Sequence, residues 1–253
     1  HGTHVAGTIA ALDNTEGVVG VAPGARIWSV KTLGTGTDWE SEEIAGINWV
    51  TERAATIEVA NMSIECAGGL PCKATEAWTV AISKSVEKGV VYVAAAGNNG
   101  GDAKESVYGT HPGLITVSAI ADFDGIPNQE AEANACRKEF ETAFGAHNDD
   151  THAKFSNYGE AVEIAAPGVC IRSTVTGKTY AEAKWWGTSM AAPHVSGAAA
   201  ILASMSNPNS KADVEKIRKE IIEAGNEGWT NTSPSEFPKK LLDVSSETVF
   251  APK

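Results

Sequence analysis

The stretch KATEAWTVAISKSVEKGVVYVAAAG, residues 73–97, joins an amphipathic helix pattern to a short run of apolar residues. It predicts a helix over 73–89, ending at Gly89, and then a buried strand over 90–97. A helix that leads directly into a strand that is apolar on both faces is typical of a parallel sheet covered on both sides. The stretch therefore predicts an α/β fold.

The same alternation continues on both sides of this stretch. The other predicted elements are strands over 25–33, 57–64 and 114–120, strands and turns over 161–175, and helices over 39–54, 187–205 and 211–225. The polar, acidic segment 122–157 breaks the alternation, and we expect a surface excursion that is helical over 130–144. The sequence contains neither an internal repeat nor a linker, so we expect one domain over residues 1–253.

Composition excludes several classes of function. The net charge of −12 argues against a nucleic-acid partner, which needs a basic surface, and against binding to an anionic membrane. No run of about 18 apolar residues suggests a membrane span. The four cysteines are an even number, which favours two disulfides and an oxidising compartment, although four reduced thiols are the alternative. Cys66 and Cys72 flank a Gly/Pro turn that would let them pair.

The segment GTSMAAPH, residues 187–194, places a serine at the start of a helix of small residues. Pro193 is expected in the first turn of this helix, where a missing N–H does no harm. Free N–H groups and the helix dipole favour negative charge at this end, so Ser189 is a candidate nucleophile with its own oxyanion support. The alternative role for such a serine is a simple N-cap.

Two further segments carry candidate polar groups. HGTHVAGTIAAL, residues 1–12, is predicted as a helix with His1 and His4 one turn apart. Histidines at this spacing are structural, catalytic or metal-binding, but no HExxH motif supports a metal. VAAAGNNG, residues 93–100, puts Asn98 at the carboxyl end of a predicted parallel strand, where α/β proteins place their sites. Asn98 is either an oxyanion donor or an ordinary turn residue.

Taken together and in this order, HGTHVAGTIAA, NMS, AAAGN, APG and GTSMAAPH closely resemble the motifs of the subtilisin-like serine proteases, the subtilase family. The resemblance covers residues 1–203. It implies a three-layer α/β fold, in which helices cover both faces of a mostly parallel sheet. It also implies a secreted serine endopeptidase that acts on proteins and peptides, needs no cofactor for catalysis and works as a monomer.

The resemblance assigns a role to individual residues. His1 corresponds to the general base, Ser189 to the acylated nucleophile, and Asn98 to the side-chain donor of the oxyanion hole. The remaining implied site residues are the strand edge that pairs with substrate, Ser63, Ile64 and Glu65, and a wall of the specificity pocket, Ala95, Ala96 and Gly97.

The resemblance also implies two structural features. The loop LDNTEGV, residues 12–18, is similar to the family's calcium loop, with ligands from Leu12, Asn14, Glu16 and Val18. The excursion resembles loops of cysteine-containing subtilases, and this resemblance implies that Cys136 pairs with Cys170.

The main departure is the third member of the triad. The family carries an aspartate in a D-[ST]-G motif upstream of the histidine, and no such motif occurs here. We expect the sequence to begin after that block, so that the fold lacks its N-terminal strand or strands and a pro-segment belongs to the precursor. Loss of the aspartate costs such enzymes about 10⁴-fold in rate, so we expect the chain alone to be impaired. The alternative is an inactive subtilase-fold binding or structural module.

Smaller departures lie around the predicted pocket. Glu65 replaces the usual glycine at its rim, which suggests either a preference for basic side chains or a carboxylate turned to solvent. Trp185 and Trp186 precede the serine motif, where they either line the leaving-group side or simply pack.

Overall fold

Four parallel strands form the centre of the molecule, and a short fifth strand pairs antiparallel with one of them. The computed structural model describes residues 1–33, 39–66, 71–126, 132, 134–177, 180–181 and 184–251. The strands are β1 (Val59–Met62), β2 (Val91–Ala95), β3 (Leu114–Ala121), β4 (Thr151–His152) and β5 (Ile164–Pro167). The parallel strands lie in the order β1-β2-β3-β5, and β4 pairs with the end of β3.

The two central strands are enclosed on both faces. Every residue of β2 and of β3 is buried. Because alternate side chains of a strand point to opposite faces, burial of consecutive residues requires cover on both sides of the sheet. The register pairs Val91 with Val59, and Ala95 with Val117, so the apolar runs lie side by side. The predicted α/β class with a mostly parallel sheet is confirmed.

Eight α-helices occur among the described residues. Their bounds are α1 Gly2–Ala10, α2 Trp39–Thr51, α3 Glu76–Glu87, α4 Val107–Thr110, α5 Ala135–Phe144, α6 Thr188–Ser206, α7 Lys211–Ala224 and α8 Glu247–Phe250. The helices predicted from periodicity are present, with ends that differ by a few residues. The predicted start of the helix at 130–144 falls partly on residues 130, 131 and 133, which lie outside the described part. Within the described part, no helix combines the length and apolarity that crossing a bilayer requires.

Local chemistry explains where helices begin and end. The Thr75 hydroxyl accepts a hydrogen bond from the N–H of Trp78 at 3.3 Å and caps α3, which ends before Gly89. Gly89 has φ +93°, a conformation that favours glycine and turns the chain into β2. The central helix α6 is rich in small residues, and it lies against all four parallel strands. Small side chains allow this helix to approach the sheet closely.

The strand predicted over 25–33 does not form, so this prediction was wrong. Ile27 and Trp28 are 45% and 44% exposed, and the segment joins no ladder. A largely apolar groove of about 900 Å³ lies between this segment and β1, bordered by α1, α2 and α6. Among the described residues, β1 pairs only with β2, so its other edge faces the groove. An extended segment needs a neighbour for its backbone groups, and the groove leaves 25–33 without one.

Both predicted disulfides are present. Cys66 pairs with Cys72, and Cys136 pairs with Cys170, with Cα–Cα distances of 6.1 and 5.9 Å. The second bridge ties α5 to the turn after β5, next to an aromatic cluster around Phe140. The excursion is therefore fixed to the sheet, although its sequence has little periodicity. The expectation of one domain over the whole chain stays a prediction.

We predict that the longer disulfide stabilises the fold more than the shorter one. It closes a loop with a sequence separation of 34 residues, against 6 for Cys66–Cys72. Because a longer closed loop removes more entropy from the unfolded chain, removing these bridges should cost about 4 and 2.5 kcal/mol of unfolding free energy respectively. Urea unfolding of the Cys136→Ala/Cys170→Ala and Cys66→Ala/Cys72→Ala variants measures both. A larger loss from the shorter bridge would contradict the prediction.

Candidate active site

Three parts of the predicted site, Ser63–Glu65, Asn98 and Ser189, lie together at one edge of the sheet. Ser63–Glu65 directly follow β1, and Asn98 lies just beyond β2, whose partner β1 runs parallel to it. The amino-terminal end of α6 reaches the same edge and carries Ser189 as its second residue. Carboxyl ends of parallel strands are the usual location of sites in α/β proteins, because loops from several strands converge there.

A tight corner before α6 sets the position of Ser189. Gly187 has φ +148°, which favours glycine, and its N–H donates to the carbonyl of Gly168 at 2.8 Å. Gly168 follows β5, and a Cβ there would lie 2.5 Å from the Cβ of Ala119. The APG and GTS motifs are therefore two halves of one corner, which fixes the start of α6 to the sheet.

Asn98 is oriented by Thr188, the first residue of α6. Its Oδ1 accepts hydrogen bonds from the backbone N–H of Thr188 at 2.8 Å and from the Thr188 hydroxyl at 3.0 Å. The same hydroxyl accepts from the N–H of Gly97 at 3.1 Å. With Oδ1 committed in this way, the NH₂ group of Asn98 points away from Thr188. Sequence reasoning did not single out Thr188, because a threonine before a candidate nucleophile has no distinctive pattern.

The Ser63 hydroxyl takes the place of a missing helix N–H and donates a hydrogen bond to the backbone carbonyl of Ser189. Pro193 lies in the second turn of α6, not in the first turn as predicted, because the helix begins at Thr188. It has no N–H to donate to the carbonyl of Ser189, four residues before it. The hydroxyl of Ser63 donates to that carbonyl at 2.8 Å and satisfies it. Pro193 therefore frees a backbone acceptor that connects α6 to the end of β1.

His1 and Ser189 are not joined by a hydrogen bond in this structure. His1 occupies the N-cap position of α1, which packs against α6, but its side chain makes no capping hydrogen bond. Its ring centre lies 6.5 Å from that of Trp185. The Ser189 hydroxyl donates instead to the carbonyl of Ser63 at 3.4 Å. Within the described part of the chain, we find no hydrogen bond to the His1 imidazole. The roles of His1 and Ser189 in a proton relay stay predictions.

The other two histidines near this edge, buried His4 and half-buried His194, are hydrogen-bonded to backbone carbonyls. His4 stacks on Trp185 with ring centres 4.7 Å apart, and its Nε2 bonds to the carbonyl of Ile171 at 3.1 Å. His194 bonds through Nδ1 to the carbonyl of Met190 at 2.9 Å. Burial lowers the pKa of His4, and it lowers the pKa of His194 to about 4. Both rings are therefore neutral at pH 7.

The two tryptophans before the serine motif have different surroundings. Trp186 packs edge-on against Phe140 and Phe144, with ring centres 6.0 and 6.1 Å apart, in the cluster under the excursion. Of the two predicted roles, Trp186 therefore has the packing role. Trp185 stacks on His4, and its ring centre is also 6.5 Å from that of His1.

The predicted pocket wall is a buried part of the framework. Ala95, Ala96 and Gly97 are buried, and the carbonyl of Ala96 accepts from the side chain of Asn157 at 2.7 Å. The Asn157 Oδ1 accepts from the N–H groups of Asn99 and Gly101. This fully buried amide therefore fixes the backbone of the loop that follows Asn98. Sequence reasoning missed Asn157, because it lies at the end of the polar excursion, where the sequence has little periodicity and no distinctive motif.

The predicted calcium loop has donors of the right chemistry. The four predicted ligands, Leu12, Asn14, Glu16 and Val18, lie on an irregular stretch that is mostly exposed. The Asn14 Oδ1 accepts from the N–H of Glu16 at 2.8 Å and tightens the turn, and its second lone pair can coordinate a cation. Oxygen donors suit Ca²⁺, so the loop fits the ion, and calcium binding stays a prediction.

Comparison with known structures supports the architecture. A cold adapted subtilisin-like serine proteinase aligns with a TM-score of 0.67 and 28% identity, over 96% of this chain and 73% of its own. A protease from Pseudoalteromonas arctica aligns with a TM-score of 0.70 and 27% identity, over 96% and 68%. The fold and the site edge therefore define a subtilisin-like α/β protein.

Comparison of sequences gives the family. The model of the subtilase family, peptidase S8, matches residues 1–238, so the chain belongs to the subtilase family. Subtilisin DY of Bacillus licheniformis is 38% identical over 81% of the chain, and subtilisin E of Bacillus subtilis is 39% identical over 81%. The chain spans 63% and 45% of the lengths of these two relatives.

We predict that Ser63 and Pro193 are energetically coupled. Ser63→Ala removes the hydroxyl that donates to the Ser189 carbonyl, and should lower the unfolding free energy by about 1–2 kcal/mol. In a Pro193→Ala background, the new N–H at 193 can donate to that carbonyl, so Ser63→Ala should cost less than about 0.5 kcal/mol. Urea unfolding of the four proteins measures this.

The four proteins form a double-mutant cycle, which contains its own control. Ser63 also accepts a hydrogen bond from Asn61 at 2.9 Å, and this bond is lost in both backgrounds and cancels. Equal costs of Ser63→Ala with and without Pro193 would contradict the coupling.

Proposed function

We propose that the protein is a serine endopeptidase that hydrolyses peptide bonds through an acyl-enzyme on Ser189. The observation that carries the proposal is the pair of hydrogen bonds from Thr188 to Asn98, at 2.8 and 3.0 Å. They orient the amide of Asn98 at the edge where α6 begins, and Ser189 is the second residue of that helix. An amide donor and a helix amino terminus around one serine are the elements that stabilise an oxyanion in acyl transfer.

The proposed reaction assigns each step to a named group. The Ser189 Oγ attacks the carbonyl carbon of the scissile bond, and its proton passes to the His1 imidazole. The Asn98 amide and the Ser189 N–H stabilise the oxyanion. His1 then gives the proton to the departing amine as the C–N bond breaks. Water, deprotonated by His1, hydrolyses the acyl-enzyme and restores Ser189.

The imidazole needs an orienting partner in this scheme. In the family this partner is an aspartate on a strand, and the groove beside β1 has an open strand edge and apolar walls that suit an extended segment. We therefore expect the active enzyme to carry an aspartate-bearing strand there. The carboxylate would hold the His1 tautomer and stabilise the imidazolium.

The surroundings of this activity follow from the same proposal. Substrate pairs antiparallel with Ser63, Ile64 and Glu65, and its side chain enters a pocket walled by Ala95–Gly97. Two disulfides are typical of an oxidising compartment, which supports secretion. Calcium bound at the loop 12–18 would stabilise that turn, with no part in catalysis. We expect a monomer that is made with a pro-segment.

We predict that a biotinylated peptidyl diphenyl phosphonate labels Ser189. A covalent probe accumulates over hours, so it reports a nucleophile even where turnover is slow. Ser189→Ala should abolish labelling, and Asn98→Leu should slow it by about 10²–10³-fold, the magnitude known for the corresponding amide of a subtilisin. Mass spectrometry of the labelled peptide and the time course of labelling measure both effects.

Ser204→Ala is the matched control, because Ser204 lies on the same helix and its hydroxyl donates to the carbonyl of Ile201, away from Ser189. It should label at the rate of the unsubstituted chain. Labelling that survives Ser189→Ala would contradict the proposed nucleophile. A chain that is folded by circular dichroism and takes up no probe would favour the inactive binding module.

A further inference from the structure

The carboxylate of Glu65 accepts a hydrogen bond from the side-chain amide of Asn98, the group that the proposed reaction uses as an oxyanion donor. The Asn98 Nδ2 donates a hydrogen bond to the Glu65 Oε2 at 2.7 Å. Glu65 is exposed, and among the described residues Asn98 is its only hydrogen-bond partner. The carboxylate therefore lies at the mouth of the site, where it is accessible to a bound peptide.

This contact is incompatible with an unhindered oxyanion. The orientation of the Asn98 amide is fixed, because its Oδ1 is committed to Thr188. Its two N–H groups must then serve both Glu65 and the developing oxyanion. Two anions on one amide nitrogen lie only a few ångströms apart and repel each other. Either the carboxylate leaves, or a positive charge compensates it.

We propose that Glu65 is a specificity-determining cover on the oxyanion donor, which a cationic side chain of the bound peptide removes. The proposal rests on the proposed function and deepens it. A lysine or arginine next to the scissile bond pairs with the carboxylate and draws it from Asn98. The amide is then free when the oxyanion forms. A peptide with an uncharged side chain leaves the cover in place and reacts slowly.

The position of Glu65 suits such a role. It follows Ile64 at the end of β1, on the edge with which a substrate strand is expected to pair. The next residue, Cys66, is buried and tied to Cys72, so the backbone on the far side of Glu65 is anchored. The side chain can therefore move while the backbone stays in place.

The first experiment measures the hydrogen bond between Glu65 and Asn98 directly. It uses the Ser189→Ala protein, which prevents turnover of the peptide. The side-chain NH₂ resonances of Asn98 are assigned by NMR, with Asn98→Asp as the assignment control. Glu65→Gln should move them upfield, because a charged acceptor is lost. Acetyl-Ala-Ala-Pro-Lys-amide should move them in the same direction, whereas the Leu peptide should not. Asn98 NH₂ chemical shifts that change neither with Glu65→Gln nor with the Lys peptide would overturn the proposal.

The second experiment reads selectivity with Ser189 intact. Diphenyl phosphonates that carry a lysine or a leucine side chain label Ser189, and their second-order rate constants are compared. The unsubstituted chain should prefer the lysine probe at least tenfold. Glu65→Gln should lower this ratio by at least a further tenfold, with the leucine probe reacting faster than before. A purely structural role for Glu65 would not accelerate any probe.

Two further variants make the result decisive. Glu65→Ala should reproduce the faster leucine reaction, and Glu236→Gln, an exposed residue of the C-terminal segment, should change neither rate. A Glu65→Gln variant that slows both probes equally, or keeps the ratio, would overturn the proposal. If neither probe labels Ser189 in any variant, the proposed function fails, and the response of the Asn98 resonances to the Lys peptide alone decides whether Glu65 is a displaceable cover.

Discussion

The site depends on one backbone hydrogen bond that α6 cannot make. Pro193 has no N–H, so the carbonyl of Ser189 would remain unsatisfied at the start of a mostly buried helix. The Ser63 hydroxyl satisfies it at 2.8 Å and thereby joins the end of β1 to the helix that carries the proposed nucleophile. The neighbouring Thr188 joins the same helix to the end of β2 through Asn98. Two strands and one helix are therefore held together at a single edge.

This arrangement explains why short motifs from distant parts of the sequence belong together. The APG and GTS motifs form one corner, where Gly187 donates to Gly168. NMS and AAAGN are the carboxyl ends of two adjacent parallel strands, and each makes side-chain hydrogen bonds to α6. Polar groups in a largely buried setting need partners, so a change in one of these motifs leaves a donor or acceptor of another without its partner.

Much of the fold could be predicted from the sequence, because the buried strands and amphipathic helices carry strong periodicity. The segment 25–33 was the exception: its pattern is that of a strand, but strand formation requires a neighbour, and the groove stands where that neighbour would pair. At the candidate site, motif resemblance predicted Ser189, Asn98 and Glu65, which lie at one edge of the sheet. It could not find the Glu65–Asn98 contact or the role of Asn157, because both depend on distances between segments that are far apart in sequence.

The most direct test of this account is a crystal structure of the chain with a lysine-type diphenyl phosphonate bound to Ser189. We predict that the phosphonyl oxygen lies about 2.7–3.1 Å from the Asn98 Nδ2, with the Asn98 Oδ1 still bonded to Thr188. We also expect the Glu65 carboxylate to have left Asn98 and to pair with the lysine of the probe. A phosphonyl oxygen turned away from Asn98, with Glu65 still on the amide, would contradict the central claim that this edge is built to stabilise an oxyanion.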